Sequence, residues 1–304
     1  MFKKIKLNYT QRVIKYSKPT KNTISMKNLF DDVSFKCSVL VTKSYSTSFS
    51  LAVYMLAPSI REAIYSIYGF VRFADEIVDS FHGFDKKTLI EDFENEYYKA
   101  QKMGISLNPI LNSFQQTVTK YNIPDDMIQS FMKSMKMDLI KSDYHSKEEY
   151  DEYIYGSADV VGLMCLKVFV NGDDTKYDEL KDEAMRLGSA FQKVNFLRDL
   201  KDDNLVLNRN YFPGVDLRSF DEKDKLMIIQ EIEEDFKVAL QGIKKLPIEA
   251  KFGVYTAYVY YKKLLKKLEN TPYFEIRNSR VRISNYTKGI LFANSFVTYK
   301  LKMV

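Results

Sequence analysis

Apolar residues recur at helical spacing along most of the chain. Pro58 opens one such segment, which is predicted to form a helix that continues through Asp79. Its apolar residues stand at i, i+3, i+4 and i+7, the positions of one helix face, and include Ile64, Ile67, Tyr68 and Val71. A helix with this pattern packs its apolar face into the protein interior, so a buried helix is expected here.

The same spacing predicts helices before and after this one. Apolar positions between Leu29 and Ala52 favour helix on both sides of a Ser/Thr-rich break at residues 44–49. Later helices are predicted at residues 86–103, 109–121, 124–141, 147–170, 175–203, 221–244, 247–269 and 285–302. Short breaks with Gly, Pro or Asn separate them, and none shows the sustained alternation of a strand. Because the sequence has neither a repeat nor a long linker, it predicts one all-α helical bundle.

The composition agrees with a large helical domain. The chain has 304 residues, of which 45% are hydrophobic, and its 22 Tyr and 21 Phe are enough to build an apolar pocket. The 7 Pro and 11 Gly are few for this length, which favours long helices. Cys37 and Cys165 are the only cysteines, which excludes a disulfide framework and a cysteine-based zinc site. A reducing, cytoplasmic location is therefore expected.

The positive charge of the chain is concentrated at its beginning. The net charge is +6, but residues 1–30 hold eight Lys or Arg residues and no acid. Of 46 basic and 40 acidic residues, 38 and 40 remain beyond that segment, a net charge of −2. No nucleic acid is therefore expected as a partner. Residues 1–25 are interpreted as a basic leader, either disordered or an upstream extension, and no apolar run is long enough to predict a transmembrane helix.

Two pairs of aspartates interrupt apolar helical segments. Asp75 and Asp79 are four residues apart, so they share a helix face about 6 Å apart along the axis. Asp199 and Asp203 have the same spacing. Like charges so placed repel each other and destabilise a helix. Mg²⁺ would offset this repulsion, since it binds a few carboxylate oxygens and bridges to substrate phosphates.

Spacing alone is weak evidence for such a site. Asp174, Asp178 and Asp182 share it, but they stand in a charged run that is expected to be a solvated helix face. The other two pairs have apolar flanks, and each continues a polar stripe along its helix. The first stripe is Tyr68, Arg72, Asp75 and Asp79, and the second is Gln192, Asn195, Asp199 and Asp203, with Arg198 beside it. For the second stripe, a polar helix end before a loop is the alternative explanation.

Four ordered segments resemble the motifs of the phytoene/squalene synthase family. They are residues 45–49 (YSTSF), 68–79 (YGFVRFADEIVD), 153–162 (YIYGSADVVG) and 187–203 (LGSAFQKVNFLRDLKDD). Residues 208–213 (NRNYFP) are similar to the family's Arg-x-Tyr-x-Pro segment. The resemblance runs from about Met26 to the C-terminus, so residues 26–304 are interpreted as the catalytic domain. Asp159, where a small residue is expected, and Glu76, where a second Asp is common, depart from the family pattern.

The resemblance implies a role for each matching residue. Metal binding, by Mg²⁺ with Mn²⁺ as a substitute, is implied for Asp75, Asp79, Asn195, Asp199 and Asp203. Diphosphate contacts are implied for Arg72, Gln192, Asn195 and Arg198. Further substrate contacts are implied for Tyr45, Ser46, Ser48, Phe49, Tyr68, Arg209, Tyr211 and Tyr261. Catalytic roles are implied for the four aspartates, Arg72 and Tyr153.

The resemblance also implies a fold and an activity. The fold is a single isoprenoid-synthase-like helical bundle with a central apolar cavity. The activity is the head-to-head condensation of two geranylgeranyl diphosphates to phytoene through a cyclopropylcarbinyl diphosphate, without NADPH. Squalene or dehydrosqualene synthesis from two farnesyl diphosphates is the alternative, and a non-catalytic isoprenoid-binding homologue is the alternative from another class. A di-iron bundle is excluded because the chain has no Glu-x-x-His pair.

The implied partners follow from this chemistry. The substrate is a prenyl diphosphate, and a downstream carotenoid desaturase would consume the product. Because both substrate and product are lipid-like, peripheral contact of this cytoplasmic protein with a membrane is also expected.

Overall fold

The chain forms a layered bundle of helices, as a computed structural model describes it for residues 26–205, 209–215 and 219–301. Within residues 202–205 only the backbone is described. The α-helices of these ranges are α1 Met26–Tyr45, α2 Thr47–Tyr54, α3 Pro58–Asp79, α4 Lys86–Met103, α5 Pro109–Tyr121, α6 Asp125–Met137, α7 Lys147–Ile154, α8 Val160–Phe169, α9 Asp174–Leu205, α10 Glu222–Lys245, α11 Ile248–Glu269, α12 Tyr273–Ile276 and α13 Asn285–Lys300. No strand occurs in them, which confirms the all-α prediction.

Most helices begin and end where the sequence predicts. The helices at 86–103 and 109–121 have the predicted bounds, and Pro58 occupies the first turn of α3. The predicted helix at 124–141 is too long, because α6 ends at Met137 and the chain turns at Asp138 into the cavity described below. The short helix α12 was not predicted.

The predicted helix at 147–170 is interrupted by a π-helical turn. This turn, Tyr155–Asp159, joins α7 to α8 and packs against α6 and α9. At Gly156 an added Cβ would lie 2.0 Å from the Ser134 hydroxyl oxygen, and at Gly188 of α9 it would lie 2.7 Å from the Ala158 carbonyl oxygen. The close packing therefore requires glycine at both positions. Such turns are frequent at functional sites, and this one lines the cavity described below with Ser157 and Ala158.

Two apolar cores hold the bundle together. One lies among α3, α4, α5, α6 and α8, where Phe70 stacks on Phe114 with ring centroids 4.0 Å apart. The other lies among α9, α10 and α11. The cavity opens between these cores. No helix in the described part of the chain is long and apolar enough to cross a bilayer.

Candidate active site

A cavity of about 480 Å³ lies between the two cores. Ser157, Val161, Cys165 and Phe169 line it from one face of the π-helical turn and α8 at intervals of four residues. On α9, the lining runs from Leu180 to Asp199, 19 residues or about 28 Å of helix. One end, termed the mouth, is lined by Asp75, Asp79, Asp138, Asp199 and Arg209. The other end, termed the floor, is lined by Leu56, Phe169, Leu180 and Leu246.

The acidic end of α3 is held by a single arginine from another part of the chain. The Nη1 of Arg209 donates to Oδ1 of Asp79 at 2.8 Å, and its Nη2 donates to the Asp138 carbonyl oxygen at 2.9 Å. Tyr153 donates its hydroxyl to Oδ2 of Asp138 at 2.9 Å. Oδ1 of Asp138 is buried without a hydrogen-bond partner in the described structure, and Nη1 of Arg209 lies 3.9 Å from it. These contacts bring together three segments that are distant in sequence.

Negative charge accumulates at this end of the cavity. Burial, followed by repulsion from Asp79, raises the pKa of Asp75 to about 7, against the opposing effect of Arg72. Burial also raises the pKa of Asp138 to about 7, although Arg209 opposes this shift. A cation placed between these carboxyl groups would favour their ionised forms.

Arg72 is oriented by its neighbours on α1 and α3. Its guanidinium pairs with Glu76 one turn later and lies over the Tyr45 ring, 4.3 Å from the centroid. Its Nε is buried without a hydrogen-bond partner in the described structure. Glu76 therefore positions Arg72, and one donor of the guanidinium stays available to an anionic ligand.

The second acidic helix is balanced by two arginines. Arg198 donates its Nε to Oδ1 of Asp199 at 2.8 Å, and Nε of Arg280 lies 2.8 Å from the same oxygen. Arg280 belongs to the segment between α12 and α13, so that segment reaches the mouth. Asn195 accepts a 3.3 Å hydrogen bond from Tyr261, whose ring stacks on Phe191 with centroids 4.0 Å apart.

Aromatic rings form much of the wall near the mouth. Phe196 stacks on Tyr211 with centroids 3.9 Å apart, and Tyr211 stacks on Tyr153 at 5.4 Å. On the opposite side, Phe49 stacks on Tyr68 at 4.8 Å. Burial raises the pKa of Tyr68 to about 12, so its phenol stays protonated at neutral pH.

Most of the predicted site residues whose side chains are described line this one cavity. They are Phe49, Tyr68, Arg72, Asp75, Asp79, Tyr153, Gln192, Asn195, Arg198, Asp199, Arg209 and Tyr211. Tyr45, Ser46, Ser48 and Tyr261 are not part of the lining. Tyr45 supports Arg72, Ser46 caps α2 by accepting from the Phe49 amide at 3.2 Å, and Tyr261 supports Asn195. Asp203 lies on α9, but its side chain is outside the described part.

Two charged residues that line the mouth, Asp138 and Arg280, were not predicted from the sequence. Asp138 stands between Met137 and Leu139 near the end of a predicted amphipathic helix, so the criterion of a carboxylate with apolar flanks could have identified it. Arg280 stands in a polar loop with no periodic pattern, and nothing in its local sequence marks it.

The donor chemistry of the mouth fits a hard divalent cation. No three His, Cys, Asp or Glu side chains converge closely enough to hold a metal ion by themselves, among the side chains that the structure describes. Mg²⁺ does not require such a cage, because it keeps several waters and uses one or two carboxylates together with substrate phosphates. Asp75, Asp79 and Oδ1 of Asp138, which accepts no hydrogen bond in the described structure, carry oxygen atoms that could serve as such ligands.

Known proteins with similar sequences belong to one family. The profile of the squalene/phytoene synthase family matches residues 42–287. A phytoene synthase of Arthrospira platensis is 26% identical over 282 residues, which cover 84% of this chain and 90% of that protein. A 15-cis-phytoene synthase of Synechocystis sp. is 28% identical over 258 residues, which cover 77% of this chain and 76% of that protein.

Solved structures agree on the fold. A dehydrosqualene synthase superposes with a TM-score of 0.75 at 18% identity, covering 89% of this chain and 98% of that one. A squalene synthase from Alicyclobacillus acidocaldarius gives 0.70 at 21% identity, covering 80% and 95%. The predictions of the fold and of a prenyltransferase are confirmed. The chain belongs to the squalene/phytoene synthase family, whose enzymes condense prenyl diphosphates head to head.

Proposed function

We propose that this enzyme condenses two geranylgeranyl diphosphates to phytoene through a cyclopropylcarbinyl diphosphate, in a reaction that depends on Mg²⁺. The observation that carries the proposal is the polarity of the cavity. Its mouth is lined by carboxylates and arginines, several of them on α3 and α9, and its floor is lined mainly by apolar residues. A prenyl diphosphate has the same division between a charged head and an apolar tail, so the cavity matches it end to end.

The metal belongs at the mouth. Asp75 and Asp79 would hold it together with Asp199, Asn195 and the side chain of Asp203, and Mn²⁺ would substitute for Mg²⁺. When bound, the metal neutralises diphosphate charge and so weakens the bond between the allylic carbon and the diphosphate oxygen. The raised pKa of Asp75 supports this assignment, because burial and Asp79 outweigh the opposing effects of Arg72 and Arg209, and a bound cation would favour the ionised carboxylate.

The arginines of the mouth would hold the diphosphates. Arg72, Arg198 and Arg209 line it, and Arg280 joins them from the segment before α13. Guanidinium groups bind phosphate oxygens through paired, charge-assisted hydrogen bonds. They would orient the leaving group and take up the negative charge that grows on it as the carbon–oxygen bond breaks.

The aromatic wall would protect the carbon cations. Loss of diphosphate leaves an allylic cation, which the double bond of the second chain attacks, and water at this point would quench the reaction. Tyr68, Tyr153, Phe196 and Tyr211 line the cavity and would exclude water from the reacting carbons. The faces of their rings also stabilise positive charge.

Product analysis tests the proposal directly. The purified full chain is incubated with geranylgeranyl or farnesyl diphosphate, with and without Mg²⁺ and NADPH, and the hydrocarbons are identified by mass spectrometry. Phytoene from geranylgeranyl diphosphate with Mg²⁺ and without NADPH is expected. A squalene-type product from farnesyl diphosphate would show that farnesyl diphosphate is the substrate. The absence of a hydrocarbon product from either substrate would refute the activity. Conversion of the product by an added carotenoid desaturase would identify the reaction that follows.

A further inference from the structure

The C-terminal helix α13 presents an apolar stripe to solvent. Tyr286, Ile290, Ala293, Val297 and Leu301 follow one another at intervals of three or four residues, so they share one face of the helix and the turn after it. Tyr286 is 80% exposed, Ile290 43%, Val297 54% and Leu301 65%. Single exposed apolar residues are ordinary, but a continuous stripe of them over four turns marks an interaction surface.

The opposite face of α13 attaches the helix to the wall of the enzyme. The ring of Phe252 on α11 contacts Phe292, Phe296 and Tyr299, with centroids 6.1, 5.9 and 5.0 Å away. Ser295 is buried on this side and donates to the Leu291 carbonyl oxygen. Packing of the inner face therefore fixes the direction of the outer stripe.

Positive charge accompanies the stripe. Glu275 is the last acidic residue of the chain, and the six charged residues that follow it are all basic: Arg277, Arg280, Arg282, Lys288, Lys300 and Lys302. An apolar helix face in a segment that carries only positive charge is typical of helices that lie in the interface of an anionic bilayer. The body of the chain beyond the first 30 residues is close to neutral, so this charge is local.

The beginning of α13 lies beside the mouth of the cavity. Arg280, five residues before the helix, pairs with Asp199 at the mouth. Lys288, in the first turn, has its Nζ 3.4 Å from the Thr47 hydroxyl oxygen at the start of α2. A surface that contacts the stripe would therefore also lie near the opening through which a prenyl diphosphate enters.

We propose that the outer face of α13, the stripe of Tyr286, Ile290, Ala293, Val297 and Leu301, docks the enzyme onto a bilayer that contains anionic lipid. The functional purpose of this contact rests on the proposed function, because its substrate and product are lipids that partition into membranes. A second copy of the chain is a poorer occupant. A two-fold symmetric contact would place the two basic segments against each other, and like charges repel.

Vesicle binding of the full chain tests the proposal without any substrate. Sedimentation is measured with two kinds of vesicle, one of phosphatidylcholine alone and one that also contains about 30% phosphatidylglycerol. Ile290→Gln with Val297→Gln is compared with Met103→Gln and Leu107→Gln. Met103 ends α4 and is 61% exposed, and Leu107 lies in the loop after it and is 90% exposed. Gln keeps helix propensity high, so α13 is expected to remain folded. Circular dichroism and thermal melting confirm that each variant is folded.

The expected result is specific to α13 and to anionic lipid. The α13 double variant is expected to bind phosphatidylglycerol vesicles roughly tenfold more weakly than wild type, and the α4 double variant as well as wild type. Arg282→Gln with Lys300→Gln leaves the stripe intact and is expected to weaken vesicle binding about fivefold per charge removed. This loss should be smaller at high salt, where the charges are screened. Turnover of detergent-solubilised substrate should not change in any of these variants, so a failed docking prediction is distinguishable from a failed activity.

Two results would overturn the proposal. Equal vesicle binding by wild type and the α13 double variant would assign any membrane contact to another part of the chain, such as the basic leader. A wild-type dimer that the same variant converts to a monomer in light scattering would show that a second copy covers the stripe.

Discussion

The two acidic helices of the mouth share a sequence pattern but differ in how their charge is balanced. On α9, Asp199 is paired with two guanidinium groups, those of Arg198 and Arg280. On α3, the carboxyl groups of Asp75 and Asp79 have a third carboxyl group nearby. Among the side chains that the structure describes, Asp199 therefore has two arginine partners before any ligand binds, whereas Asp75 is paired with none.

The difference arises from which groups each arginine contacts. Arg72 is directed to Glu76, and Arg209 is shared between Asp79 and the Asp138 backbone, so no arginine of the described residues makes a direct contact with Asp75. Two helices with the same spacing of aspartates can thus contribute differently to the binding of metal and diphosphate. The α3 side most needs a metal cation, and the α9 side offers arginines that can transfer to diphosphate.

The largest expected effect comes from the α3 side. Asp75→Asn should lower turnover of geranylgeranyl diphosphate by roughly a thousandfold or more, because it removes a carboxylate that would bind the metal. Asp178→Asn is the matched control, since Asp178 has the same spacing from Asp174 but a side chain that is 65% exposed. Steady-state release of diphosphate measures both. Wild-type turnover in Asp75→Asn would contradict the assignment of the metal to this helix.

A smaller effect is expected from the α9 side. Arg280→Gln should lower kcat/KM by about ten- to a hundredfold, mainly through KM, because one of several charge-assisted contacts to diphosphate is lost. Arg282→Gln, two residues later on the exposed side of the same segment, is the control. If both variants had the same kinetics, Arg280 would have no part in substrate binding.

The tyrosines around Asp138 offer an internally matched pair. Tyr153→Phe removes the hydrogen bond to Asp138 and should lower kcat by about tenfold, the effect of one hydrogen bond to a charged group. The neighbouring Tyr144 has a buried hydroxyl without a hydrogen-bond partner in the described structure, so Tyr144→Phe should leave activity unchanged and stability equal or higher. Equal loss of activity in the two variants would show that only ring packing matters.

The smallest expected effect is on stability as a function of pH. The pKa of Asp75 is about 7 in the folded protein and near 3.8 when unfolded, so folding takes up a proton between these values. Stability of the metal-free protein should therefore fall as pH rises from 6 to 8, by about 1 kcal/mol or ~2–4 °C in Tm for this carboxyl group. Asp138 should contribute in the same direction.

Calorimetry of wild type, Asp75→Asn and Asp178→Asn in EDTA measures this dependence. The decrease in Tm between pH 6 and 8 should be smaller in Asp75→Asn than in wild type and unchanged in Asp178→Asn. A Tm of wild type that rises between pH 6 and 8 would contradict the charge balance inferred for the α3 side. Mg²⁺ added at pH 8 should raise the Tm of wild type more than that of Asp75→Asn, because a ligand of the folded state stabilises it.

The sequence could predict the helices and most of the cavity wall because both depend on local periodicity. The stripes on α3 and α9 were visible as polar positions at helical spacing, and their lining residues met in one cavity. The cross-chain contacts were not visible. The pairing of Arg280 with Asp199 and of Arg209 with Asp79 joins segments 81 and 130 residues apart, and no local pattern encodes such distances.

The interruption of the predicted helix at 147–170 has a similar cause. The π-helical turn depends on the approach of α6 and α9, where Gly156 and Gly188 remove the side chains that would collide. Asp159, which departs from the family pattern, is accommodated at this crossing by the Ser189 hydroxyl, which donates to it at 2.6 Å. These are properties of packing between helices, and the spacing within one helix does not determine them.

Anomalous scattering from Mn²⁺ tests the contrast between the two helices most directly. The full chain is crystallised with Mn²⁺ and an unreactive thio-analogue of geranylgeranyl diphosphate, and anomalous difference maps locate the metal. At least one Mn²⁺ bound by Asp75 or Asp79 is expected, with Arg198 or Arg280 turned from Asp199 to the diphosphate. A filled cavity with no Mn²⁺ at either α3 carboxylate would contradict the account.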